Sequence, residues 1–151
     1  MKILVLSDSH GMIIRAIDAY ETVRPDMIIH LGNDPMDVKN HMSSFEDCKF
    51  VLVRESIDSI ESGAETECVL DIEGVKLFCT HGDLYSVKRD LNALAAAAKS
   101  KGCKYALYGH THVKNVEEVD DVICINPGAL YDSGNMYMVF EIENGQLKIL
   151  D

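Results

Sequence analysis

Two histidines stand one residue apart in the stretch Tyr108-Gly109-His110-Thr111-His112, directly after the apolar run Tyr105-Ala106-Leu107. Residues i and i+2 of an extended segment point to the same side, so both imidazoles can reach one centre. Gly109 allows the backbone to bend there or to be approached closely. A shared metal ion is the usual reason for such convergence. Two polar residues in a surface turn are the alternative, and the rest of the chain has to decide between them.

Polar side chains also follow four other predicted strands, each at the point where an apolar run ends. In open α/β sheets, ligands bind in the crevice at the carboxyl ends of the strands. Mixed carboxylate, imidazole and amide ligands suit Mn²⁺, Fe or Zn²⁺, and frequent oxygen ligands favour Mn²⁺. The further strand-end residues are Asp8 and His10, Asn33 and Asp34, Ser56 and Asp58, and His81.

Hydrophobic periodicity, together with Gly and Pro residues that break it, predicts the helices and strands that carry these residues. Glu73-Gly74 predicts a two-residue hairpin turn, and Asp120-Asp121 and Asn144-Gly145 predict two further turns. The alanine run 95–98 permits close approach of a helix to a sheet. The predicted helices are 12–23, 35–42 and 86–101, and the predicted strands are 2–6, 27–31, 49–54, 67–72, 75–80, 105–108, 113–119, 122–125, 135–142 and 146–150.

Composition limits the classes of protein that need consideration. A chain of 151 residues that is 47% hydrophobic predicts a single domain spanning residues 1–151. The net charge of -11 argues against a nucleic-acid or anionic-membrane surface, because both require clustered Lys and Arg. Five cysteines without a C-x-x-C pair indicate reduced thiols in a cytoplasmic protein, and we expect neither an export signal nor a membrane span.

The ordered blocks of the sequence resemble the small bacterial phosphodiesterases of the calcineurin-like metallophosphoesterase superfamily. The resemblance covers essentially the whole chain. It implies an α/β fold, a four-layer α/β/β/α sandwich, with two metal ions at the strand ends, and a partner chain is possible because relatives often form homodimers. The blocks are Asp8-Ser9-His10, Gly32-Asn33, residues 53–58, His81-Gly82, Gly109-His110-Thr111-His112 and Asn126-Pro127-Gly128.

The resemblance also implies roles for individual residues. Asp8, His10, His112 and the residue at position 33 would hold one metal ion, and positions 33, 56, 81 and 110 would hold the other. Asp8, His10 and His81 would be the catalytic set, and Mn²⁺ is the favoured metal, with Zn²⁺, Fe or Ni²⁺ as alternatives. The substrate would be a small phosphate ester. Arg54 could bind its phosphate, although a strand-end arginine can equally pair with a neighbouring carboxylate.

Two-metal hydrolysis uses a metal-activated water, so it needs no serine or cysteine nucleophile. The sequence accordingly contains neither a G-x-S-x-G elbow nor a phosphate loop of the G-x-x-x-x-G-K-[ST] type. The implied activity is that of a metal-dependent phosphoesterase acting on phosphodiesters.

The sequence departs from the family pattern at several site positions. Asn33 stands where the family has a bridging aspartate, and the Asp34 carboxylate one residue later could become the metal ligand at that position through a small backbone shift. Ser56 replaces an amide ligand, Ile57 occupies the place of a proton donor, and Glu55 replaces a glycine and adds a charge that would repel phosphate. These changes leave two hypotheses open: a metal-dependent phosphoesterase, with intact or impaired activity, or a metal-poor protein-interaction scaffold like the retromer subunit of this fold.

Overall fold

The computed structural model describes residues 1–33, 36–58, 60–132, 134 and 136–150, and these form two five-stranded sheets. Sheet one has the order β10-β9-β1-β2-β3 and sheet two the order β4-β5-β6-β8-β7. The strands are β1 (Lys2–Leu6), β2 (Met27–His30), β3 (Lys49–Leu52), β4 (Glu67–Ile72), β5 (Val75–Thr80), β6 (Tyr105–Leu107), β7 (Asn115–Val119), β8 (Val122–Asn126), β9 (Met138–Glu143) and β10 (Gln146–Ile149), and the helices are α1 (Ile13–Val23), α2 (Met36–Lys39) and α3 (Asn92–Ser100).

Three apolar clusters give the sheets and helices their layers. Strand β1 divides its side chains by the two-residue period of a strand: Ile3 and Val5 face sheet two, whereas Leu4 and Leu6 pack with α1. On the other side of the sandwich, buried alanines of α3 pack against β6 and β8. The α/β/β/α sandwich expected from the sequence is therefore confirmed, as is the close approach at the alanine run.

The predicted strands and turns are present, although β3 ends earlier and β7 and β9 begin later than predicted, and position 135 lies outside the described residues. The larger differences concern helix length. The three two-residue turns are present, and both residues of each have positive φ. The predicted helix 86–101 was wrong at its start, because α3 begins only at Asn92. Ser86 has a left-handed backbone (φ 52°), and the Asp90 side chain accepts the Asn92 N–H at 3.0 Å, which sets the start of the helix. The predicted helix 35–42 shortens to α2.

Two features bear on the classes that the composition had suggested. The five cysteines are free thiols, three of them buried. Within the described residues, no helix is long and apolar enough to cross a membrane.

The parallel strands of both sheets end at the same edge of the sandwich. β1, β2 and β3 run parallel in sheet one, and β5, β6 and β8 run parallel in sheet two. The loop after β6 comes very close to the loop after β1: a Cβ atom at Gly109 would lie 2.1 Å from Ser7 Oγ and 3.0 Å from Asp8 Oδ2. Glycine is thus required at position 109 for the two sheets to meet.

We expect Gly109→Ala to lower the free energy of unfolding by about 1–3 kcal/mol, because the methyl group would overpack a buried contact. Gly134→Ala is the matched control, since none of the described residues other than its chain neighbours lies within 4 Å of a Cβ atom there. Its effect should stay within about 0.5 kcal/mol. Chemical denaturation of both variants measures the difference, and equal stabilities would show that the two loops do not constrain each other.

Candidate metal centre

The buried carboxylate of Asp8 lies in the middle of the sandwich edge at which the parallel strands of both sheets end, here called the strand-end edge. Its Oδ2 atom accepts hydrogen bonds from Ser7 Oγ at 2.7 Å and from the backbone N–H of His110 at 3.2 Å. Its Oδ1 atom is buried and has no hydrogen-bond partner among the described residues. Oδ1 lies 3.2 Å from His112 Nε2 and 3.7 Å from His81 Nε2. A buried anionic oxygen that faces imidazole nitrogens is an arrangement that a bound cation completes.

The Asp8 carboxylate and five neighbouring side chains form two groups of possible metal ligands. Asp8, His10 and His112 form the first group, and Glu55, His81 and His110 form the second. Within each group the ligand atoms all lie within 4.8 Å of one another. Each group has one carboxylate and two imidazoles, a donor set that suits Zn²⁺, Fe or Mn²⁺. The residues present therefore fit divalent metal ions.

The backbone explains how strand ends can aim so many side chains at one place. Left-handed φ values occur at Asp8 (54°), His10 (46°), Asn33 (62°), His110 (71°) and His112 (64°). Such conformations cost of order 1–3 kcal/mol each for non-glycine residues and concentrate at functional sites. Each one redirects a side chain after its strand has ended, so that the side chain turns towards the centre.

The imidazole of His81 is fixed by a neighbouring strand end. Its Nδ1 lies 2.7 Å from the carbonyl oxygen of Leu31, which can only accept, so Nδ1 carries the proton and Nε2 faces the centre. A Cβ atom at position 32 would lie 2.7 Å from this Nδ1, which explains why Gly32 passes over the ring. The His110 ring stands next to it, with Nδ1 3.3 Å from His81 Nε2.

Burial lowers the pKa of His110 below its ordinary value, and the neighbouring His81 lowers it further. The imidazole is therefore neutral at neutral pH. Neutral imidazole is the form that binds a metal ion, because the ring nitrogen then has a free electron pair.

Comparison with known proteins identifies the family. A family model described as "Calcineurin-like phosphoesterase superfamily domain" matches residues 1–145. The chain belongs to this superfamily. It is 32% identical over 132 residues to a probable metallophosphoesterase of Mycoplasma pneumoniae, covering 85% of this chain and 79% of the relative. It is 31% identical over 145 residues to a phosphodiesterase of Methanocaldococcus jannaschii, covering 85% and 83%.

A solved structure of wild-type Vps29 from Entamoeba histolytica, complexed with Zn²⁺, has a TM-score of 0.77 and 22% identity to this chain. The match covers 99% of this chain and 90% of the other. At this level of identity the likeness shows a shared fold. This phosphoesterase-family chain thus shares the fold of Vps29.

The residues at which this chain departs from the family pattern differ in their contacts with the two ligand groups. Asp34 lies outside the described residues. Asn33 lies at the centre, but its Nδ2 donates to Glu55 Oε2 at 3.3 Å. The hydroxyl of Ser56 donates to Asp83 Oδ2 at 2.6 Å, so its hydrogen is engaged with Asp83. Glu55, whose charge is expected to repel phosphate, stands with the imidazoles of the second group.

Arg54 and Asp83 hold the loop after β3 in place. Arg54 donates to the carbonyl oxygens of Glu55 at 3.4 Å, Ser56 at 3.2 Å and Ala64 at 3.1 Å, so phosphate binding by Arg54 stays a prediction. Burial favours the neutral form of Asp83, but the hydrogen bonds from Ser56 outweigh it and lower the pKa of the Asp83 carboxyl. The loop after β3 is therefore held from two sides.

Tyr131 is a site residue that sequence reasoning missed. Its hydroxyl lies 3.0 Å from His112 Nδ1, and its ring centroid lies 4.3 Å from that of His10. Arg15 of α1 fixes the loop by donating to the carbonyl oxygens of Leu130, Tyr131 and Asp132. The residue follows the Asn126-Pro127-Gly128 turn by only three positions, and this was the signal available in the sequence.

We expect Tyr131→Phe to weaken Mn²⁺ binding at the first ligand group by about 10–100-fold, because His112 loses the partner that orients its ring. Tyr105→Phe is the control, since Tyr105 begins β6 at the opposite end of the strand from His110. Titration calorimetry measures the affinity, and thermal unfolding without metal checks that the fold is intact. Unchanged affinity in Tyr131→Phe would show that the hydroxyl has no role in positioning His112.

Proposed function

We propose that this protein is a metal-dependent phosphodiesterase that binds two divalent ions, with Mn²⁺ as the metal. The proposal is carried by the buried Oδ1 atom of Asp8, which lies between His112 and His81 and accepts no hydrogen bond from the residues that the structure describes. Family membership supports the class of reaction, and the relatives named as phosphoesterases support it independently.

Asp8, His10 and His112 would hold one ion, and His81 and His110 would hold the other together with a carboxylate. When bound, a pair of such ions activates a water molecule and clamps the phosphoryl oxygens during in-line displacement. Asp8 has a particular place in this set, because its Oδ1 atom faces one imidazole of each group. It therefore couples the two ligand groups.

The charge of the protein makes metal ions a requirement for substrate binding. The chain has a net charge of -11, and two carboxylates, Asp8 and Glu55, stand among the imidazoles. Without cations this edge would repel a phosphodiester anion. Divalent ions reverse the local charge, so binding and hydrolysis of the substrate should depend on metal in the same way.

The surroundings favour substrates with a good leaving group. Ile57 stands at the position where the family pattern places a proton donor, and its side chain is 84% exposed. An isoleucine cannot protonate a departing alkoxide, whereas an aryl oxide leaves without protonation. Aryl phosphodiesters are accordingly the proposed test substrates.

We expect hydrolysis of bis(4-nitrophenyl) phosphate to require added Mn²⁺ and to stop with EDTA. Asp8→Asn should lower the rate at saturating metal by at least about 100-fold, because a ligand and the link between the two groups are both weakened. His41→Ala is the control, since His41 is exposed and belongs to neither ligand group. Release of nitrophenolate measures the rate, and turnover that persists in EDTA would contradict the proposal.

A protein-interaction scaffold is the second candidate function. Three apolar side chains that follow Glu55, His81 or His112 by one to three residues in sequence are exposed: Ile57 by 84%, Leu84 by 54% and Val113 by 61%. Exposed apolar side chains favour a protein-binding surface when they are contiguous. Elemental analysis of protein purified without chelator and then incubated with Mn²⁺ separates the two functions. Two ions per chain are expected for the phosphodiesterase, and none would favour the scaffold.

A further inference from the structure

We infer that Glu55 supplies the carboxylate ligand of the second metal ion, and that Asn33 positions this carboxylate rather than bridging the two ions. The inference rests on the proposed function, since it assigns a role within the same metal centre. Asn33 and Glu55 are two of the positions at which the sequence departs from the family pattern.

The carboxylate of Glu55 lies where a ligand is needed. Only 9% of the residue is exposed. Its Oε1 atom lies 3.7 Å from His110 Nδ1, and its Oε2 atom lies 3.9 Å from His81 Nε2. These separations are too long for hydrogen bonds. Two ligand atoms that each lie about 2.1 Å from one ion are about 3–4 Å apart, so both distances suit a shared metal ion.

Hydrogen bonds hold Glu55 in this position from its own loop and from the loop after β2. Asp58 Oδ2 accepts the backbone N–H of Glu55 at 2.8 Å and that of Asn33 at 3.1 Å, which ties the two loops together. The Asn33 side chain donates from Nδ2 to Glu55 Oε2 at 3.3 Å. An ionised aspartate at position 33 could not donate this bond, so the neutral amide at 33 and the carboxylate at 55 form a matched pair.

The neighbouring serine does not compete for this role. Ser56 donates both its backbone N–H and its hydroxyl to Asp83 Oδ2, at 3.0 Å and 2.6 Å. Its side chain is therefore engaged with the 3-10 turn Asp83–Tyr85. Of the two adjacent residues, Glu55 faces the imidazoles and Ser56 faces Asp83.

Calorimetric titration of the full chain with Mn²⁺, combined with elemental analysis, tests the assignment. Wild-type protein should bind two ions. Glu55→Gln keeps the shape of the side chain but removes its charge. It should lower the affinity for one of the two ions by at least about 100-fold, while the other ion binds as before. Ser56→Ala, the matched neighbour, should bind both ions like the wild type.

Asn33→Gly tests the positioning role, because glycine tolerates the left-handed backbone at this position (φ 62°) while the amide is lost. This variant should lower the affinity for the same ion by about 10–100-fold. If Asn33 acts through Glu55, the double variant Asn33→Gly/Glu55→Gln should bind no more weakly than Glu55→Gln alone. Thermal unfolding without metal, run in parallel, verifies that each variant is folded.

The possible outcomes separate this inference from the proposed function. If Glu55→Gln binds two ions with unchanged or tighter affinity, the inference is overturned. Glu55 would then have no role in metal binding or would hinder it. Additive losses in the double variant would overturn the positioning role of Asn33. No ion bound by the wild type would overturn the proposed function itself, and the role of Glu55 with it.

Discussion

The carboxylate of Asp8 is the constraint on which the rest of the strand-end edge depends. One oxygen is held by Ser7 and by the backbone N–H of His110, so the other must face the imidazoles. The backbone of Asp8 also accepts the N–H of Tyr131 and donates to the carbonyl of Gly32. Loops after β1, β2, β6 and β8 are therefore joined at a single buried anion, whose charge requires a cation for balance.

This arrangement links the chemistry of the centre to the stability of the sandwich. The imidazoles come from loops of both sheets, because His10 follows β1 in sheet one whereas His81 and His110 follow β5 and β6 in sheet two. A bound ion would cross-link the sheets at the edge where the backbone is most strained. The apolar layer between the sheets holds that strained edge in place, which is why a small chain can keep several non-glycine residues in left-handed conformations.

The fold was largely predictable because its determinants are local in sequence. The two-residue alternation of β1 and the turn residues at Glu73-Gly74 depend on neighbours that the sequence displays directly. The start of α3 was not predictable from the sequence, because the segment 86–91 has apolar residues at helical spacing. In the structure, the left-handed backbone of Ser86 and the hydrogen bond from the Asn92 N–H to the Asp90 side chain place the start of the helix after this segment. Local hydrogen bonds there override a periodic pattern.

At the site, the positions of Asp8 and of the histidines at 10, 81, 110 and 112 just after buried strands can be read from the sequence, and parallel strands bring such ends to one edge. Which of two adjacent residues faces the centre depends on tertiary contacts. Glu55 and Ser56 are adjacent in sequence, and contacts with Asn33 and Asp83, more than twenty residues away, turn one inward and the other aside. Side-chain direction beyond a strand end depends on left-handed backbone and on such distant partners, and neither is encoded in a local pattern.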